Sequence, residues 1–114
     1  MGRVRAAAAG AGAALVWAAA EPGVRRLLQT NFSDVRLVGL PVHVANGALF
    51  GVAYGELRSR RAVSPVVAAL AEHVALWPAL AVFDRAAVRD PRAFASSGLC
   101  HAIFGVALGG LLRA

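Results

Sequence analysis

At 114 residues the chain has room for one compact unit, and it is 59% hydrophobic and only 16% charged, where soluble domains carry about 25% charged residues. A soluble protein this short would leave large apolar patches in water, so the composition points to a bilayer as its solvent. The net charge of +6 comes from twelve arginines scattered over both termini and all connecting segments, and the lack of a continuous basic face or an aromatic platform argues against nucleic acid as a partner.

Residues 5–20 are Ala-rich around Leu15, Val16 and Trp17, with Arg3 and Arg5 in front. Such a stretch fits either a first membrane helix or a signal peptide ending at Ala18-Ala19-Ala20. The helix is the expectation adopted, because an internal repeat further on implies two helix pairs and the first pair needs this partner. Glu21-Pro22-Gly23 should end it, since proline cannot continue a helix and glycine suits its terminus. Residues 24–36 (VRRLLQTNFSDVR) then read as a polar connector resting at the headgroup level. Asn31-Phe32-Ser33 within it matches a glycosylation sequon, a short pattern that chance explains.

A second helix is expected over residues 37–57, with Pro41 near its start and Arg58-Ser59-Arg60-Arg61 stopping it. Ser64-Pro65 offers a capping hydroxyl followed by proline at the first helical position. The third helix, residues 65–83, contains Glu72, His73, Trp77 and Pro78, and a kink is expected where Pro78 leaves the Val74 carbonyl without its partner. Asp90-Pro91 repeats the start signal for a fourth helix over residues 91–112. The resulting fold class is all-α, a four-helix transmembrane bundle forming one integral membrane domain, each span near the roughly 20 residues a bilayer needs. The arginine count ties between the two sides, and the compact RSRR turn sets the N-terminus inside the cell.

Residues 48–57 (ALFGVAYGEL) return as residues 102–111 (AIFGVALGGL), identical at seven of ten positions. Helix two therefore recurs in helix four. Gly47, Gly51 and Gly55, echoed by Gly105 and Gly109, recur every fourth residue and form a smooth ridge that permits close backbone approach. Internal packing of helix two on helix four is the expected use of this ridge, a homo-oligomer interface the alternative.

His43, Asn46, Glu72, His73 and His101 form an intramembrane polar set. An ionisable group at such depth costs about 3 kcal/mol on insertion scales, so each should face the interior with a partner. Glu72 and His73 diverge by about 100° on their helix, and Glu72 is expected to pair with His43 or His101. The set could be a hydrogen-bonded cluster fixing helix register, a proton or solute path, or a metal or haem site; the first is the reading adopted, with no metal and no cofactor. Lone Cys100 excludes a disulfide framework and reads as a small apolar packer. Trp17 and Trp77 read as interface anchors. No HExxH, GxSxG, CxxC or P-loop occurs, and Gly10-Ala11-Gly12 lacks the third glycine and preceding strand of a dinucleotide loop.

The chain resembles a family of small uncharacterised four-helix integral membrane proteins of actinobacteria. The resemblance rests on residues 31–39 (NFSDVRLVG), 43–51 (HVANGALFG) and 56–58 (ELR). It continues through Ala71-Glu72-His73, Leu76-Trp77-Pro78, Asp84-Arg85, residues 92–95 (RAFA) and residues 101–106 (HAIFGV). It covers most of residues 20–112 and implies the membrane architecture without supplying catalytic roles. The function expected is a non-enzymatic, multi-pass component of the cell membrane, structural or accessory. Its partners would be the bilayer and either a second copy or another membrane protein. The alternative is a small proton, ion or solute carrier or channel using the Glu/His set.

Overall fold

The computed structural model describes residues 2–114, which are 85% helical and, among the described residues, free of strands. Six α-helices follow one another: α1 (Arg3–Leu28), α2 (Asp34–Val38), α3 (Leu40–Arg58), α4 (Pro65–Leu76), α5 (Arg85–Arg89) and α6 (Pro91–Arg113). A 3-10 helix, Trp77–Val82, prolongs α4. The long axis measures 39 Å, the length of a 26-residue helix such as α1.

The first helix does not end at Pro22. Proline costs a helix interior about 3 kcal/mol by removing one hydrogen bond and crowding the preceding turn. Here tertiary contacts on both sides of the break carry the helix through it. Glu21 is held by the Trp17 indole N–H at 2.9 Å and by the Ser33 hydroxyl, while Val24 is buried in the core. α1 stops at Gln29, whose left-handed conformation (φ 55°) turns the chain, with Arg25 and Arg26 placed favourably in the last turn. Much of the expected headgroup connector is thus helix. Nor does α3 begin at residue 37, because Gly39 at φ +87° separates it from α2.

Local chemistry sets the remaining boundaries. The Ser64 hydroxyl accepts the Val67 N–H at 3.1 Å to start α4, and the Asp90 carboxylate accepts the Arg92 N–H at 2.9 Å to start α6. The expected kink appears as a change of helix type. With no N–H on Pro78, the chain tightens into 3-10 turns from Trp77, and the Trp77 indole N–H is taken up by the Val88 carbonyl of α5 at 3.1 Å.

α1 packs along α3 and α6, and α6 packs along α4. The glycine ridge of α3 faces α1, not α6. A Cβ at Gly47 would lie 2.7 Å from the Gly10 oxygen and 2.6 Å from Ala14 Cβ, and one at Gly51 would strike the Ala6 carbonyl. Gly55 has only ordinary contact, 3.6 Å to Ala6 Cβ. In the echo, Gly105 seats against α4, where a Cβ would lie 2.9 Å from the Pro65 oxygen, and Gly109 approaches the Pro65 ring. Each half of the chain therefore seats its later long helix on its earlier one through the shared glycine. One turn before that glycine α3 has Gly47, but α6 has the imidazole of His101, too bulky for the same backbone contact. The halves meet where the repeated Phe50 and Phe104 pack edge-on, 5.2 Å between centroids.

Two helices, Pro65–Val82 and Pro91–Arg113, are long and apolar enough to cross a membrane. α1 and α3 fall short of that mark, diluted by alanine, glycine and polar side chains, so the expected four spans are not all met by composition. Only 17% of the Pro65–Val82 stretch is buried, the opposite of a core helix in a soluble domain. Arg3 meets Glu56 at 3.5 Å and Arg5 reaches the Leu112 carbonyl at 3.2 Å, so charges gather at the helix ends.

Candidate functional site

α3 and α4 flank a cavity of about 600 Å³ without packing along each other, a volume typical of small-molecule sites. α1 and α6 form its floor with Trp17, Ser97, His101 and Phe104, and α2 roofs it with Asp34 and Leu37. None of the arginines lines it.

All five residues of the expected polar set border this space, in different ways. Glu72 Oε1 lies 3.5 Å from His101 Nε2. His101 Nδ1 is 2.7 Å from the Ser97 carbonyl oxygen, which can only accept, so Nδ1 carries a hydrogen. Nε2 is then the exchangeable site. A proton carried on Nε2 would face the Glu72 carboxyl group. His73, adjacent to Glu72 in sequence, also packs against α6. Its ring packs 4.5 Å from Phe94 and 4.8 Å from His101, and its buried Nε2 abuts Gly98 without a hydrogen-bond partner.

His43 donates from Nε2 to the Ala14 carbonyl at 2.9 Å, and so spends its hydrogen on α1. Its ring lies edge-on to Trp17 at 4.8 Å, and His101 does the same at 4.5 Å. Trp17 is thus not an interface anchor. It is 6% exposed and joins the two histidines at the centre of the molecule. Asn46 also departs from expectation, being exposed at the cavity rather than enclosed with a partner. His43, Glu72 and His101 do not converge on one point, and among the described residues no three His, Cys, Asp or Glu side chains are grouped to hold a metal ion. Cys100 is a buried free thiol within the core.

Two acidic residues complete the site and escaped the sequence reading. Glu21, 4% exposed, accepts from the Trp17 indole and the Ser33 hydroxyl and lies 3.9 Å from Arg25 Nε. Ser33 in turn accepts the Arg36 N–H at 3.0 Å and starts α2. This relay from Trp17 through Glu21 to Ser33 holds α2 over the cavity and so places Asp34. Burial pushes the Asp34 carboxyl above its ordinary 3.8, only partly offset by the polar influence of Ser97 and the field of His101. The signal available was the four-residue spacing of Trp17 and Glu21, together with Ser33 standing as a cap before Asp34. No family model matches the chain, and comparison with curated proteins and with solved structures yields no match.

Proposed function

We propose that the chain is a small multi-pass protein of the cell membrane, a four-helix transmembrane bundle with its N-terminus inside, that binds and passes a small solute by exchanging a proton at Glu72–His101. It performs no enzymatic chemistry. The observation carrying this reading is the pair itself, 3.5 Å apart, bordering a roomy cavity instead of being sealed in a dry network. Of the two functions the sequence left in play, that arrangement favours the carrier over the purely structural component. The exposed apolar length of Pro65–Val82 supports the membrane setting, because hydrocarbon removes the cost of leaving it uncovered. The tie of arginines to both ends fits the same setting, with ~30 Å of hydrocarbon between the charged rims. The resemblance to small actinobacterial membrane proteins agrees with this architecture.

The test is proton flux into liposomes carrying the purified protein, under an imposed membrane potential and with candidate solutes. Wild type should move protons, and Glu72→Gln should fold normally and lose the flux. A Glu72→Gln protein that moves protons as fast as wild type would refute the carrier. Loss of assembly without any wild-type flux would return the structural reading, in which the outer apolar faces seat a second copy or another membrane protein.

A further inference from the structure

We propose that the cavity takes a lipophilic monovalent cation, a charged centre carrying apolar arms; this rests on the membrane-carrier reading and names its substrate class. The chain as a whole has a net charge of +6, yet the lining contains two carboxylates, Asp34 and Glu72, and no arginine. That reversal of sign is confined to the cavity. Two of the three lining histidines commit one ring N–H to a backbone carbonyl. His43 donates to the Ala14 carbonyl, and His101 donates from Nδ1 to the Ser97 carbonyl. His73 packs its free nitrogen against Gly98 of α6.

The rest of the wall is aromatic and aliphatic. Trp17, Phe50, Trp77, Phe83 and Phe104 are among the residues lining it, and rings attract a cation through their quadrupoles as well as covering its apolar arms. An anion would meet the two acidic side chains with no arginine in the lining to receive it. A hydrated inorganic ion would gain little from the rings. The entrance points the same way, for α3 and α4 flank the cavity without packing along each other. Their outer surfaces there are apolar, with Leu49 and Leu76 exposed. In the proposed setting this side faces hydrocarbon, so a ligand that partitions into lipid reaches the acids directly. On arrival its charge competes with a proton for Glu72, and exchange of one for the other is the coupling a carrier requires.

Equilibrium dialysis of the full chain in detergent tests this with tetraphenylphosphonium, its near-isosteric anion tetraphenylborate, and neutral triphenylphosphine oxide. The expected result is saturable binding of tetraphenylphosphonium, weakened at least about tenfold by Glu72→Gln and less by Asp34→Asn, with no saturable binding of tetraphenylborate. Circular dichroism checks that each variant is folded, and Asp34→Asn carries the comparison if Glu72→Gln is not. Equal binding of cation and anion, or cation binding indifferent to both acidic variants, overturns the proposal. If the neutral compound alone binds, the charge class is wrong and the solute-carrier reading stands. If none of the three binds saturably while wild type still moves protons, the cation proposal falls alone; without flux, both fall.

Discussion

Gly51→Ala perturbs the fold directly, because the added methyl has no side chain to push aside. Its Cβ would overlap the Ala6 carbonyl and lie 3.1 Å from both the Gly10 Cα and the Gly10 nitrogen, all backbone atoms of α1. Relief requires α1 and α3 to separate along their shared length, and overpacking of this kind costs about 1–3 kcal/mol. Alanine returns about 1 kcal/mol in helix propensity, so the upper part of that range leaves a net loss of about 1–2 kcal/mol. Gly55→Ala is the matched control on the same ridge. Its Cβ would find Ala6 Cβ at 3.6 Å, an ordinary contact, so only the propensity gain remains. Thermal unfolding of both variants in the same detergent should place Gly51→Ala several degrees below wild type and Gly55→Ala at or above it. Equal midpoints would refute the seating of α3 on α1. A Gly51→Ala protein of unchanged midpoint but smaller oligomer would show that the ridge joins copies of the chain.

Three further outcomes follow from the site. Glu21→Ala leaves the Trp17 indole and Ser33 hydroxyl without their acceptor and should cost about 1–3 kcal/mol; protease nicking between Gln29 and Asp34 should rise with it, and unchanged protection would break the link between Glu21 and α2. Asp34 binds its proton more tightly in the folded chain than in the unfolded one, so its contribution is most favourable below pH 3.8 and is lost as pH rises through the folded value. Asp34→Asn should therefore gain stability relative to wild type at pH 7 and match it near pH 3, measured by denaturant titration; a gap constant across that window would contradict the burial of this carboxyl. His73→Phe removes a buried nitrogen that has no partner and keeps a ring among Phe94, Trp77 and His101. It should be neutral or stabilising by about 1 kcal/mol and leave proton flux intact, whereas a strongly destabilised variant would mean that His73 Nε2 has a partner.

What could be read in the sequence divides along a physical line. Helix starts at Ser64-Pro65 and Asp90-Pro91 were legible because capping is decided within four residues. The glycine ridge was legible as a ridge, since its period is that of the helix, but which helix it meets is a tertiary fact. The repeat suggested that like packs on like. In the fold each copy packs instead on the helix preceding it, because only α1 offers Gly10 opposite Gly47 and Gly51, and because His101 fills the corresponding place in α6. Pro22 misled for a related reason: its local cost is real, but contacts contributed by Trp17, Ser33 and Val24 outweigh it.

The same logic explains why two of the three acidic residues of the site stayed hidden. Glu72 stood out because it interrupts an apolar run. Glu21 and Asp34 lie where polar residues are expected, one at an apparent helix end and one in an apparent connector, so nothing in their neighbourhood marked them. Only the continuation of α1 past Pro22 folds Ser33 back onto Glu21 and turns Asp34 toward Ser97 and His101. The helix that crosses its proline is therefore what gives the cavity its second carboxylate. A carrier reading built on Glu72 alone would miss why the roof over that cavity is a short, separately capped helix. That roof is tied to α1 through Glu21 and Ser33 and packs on α3.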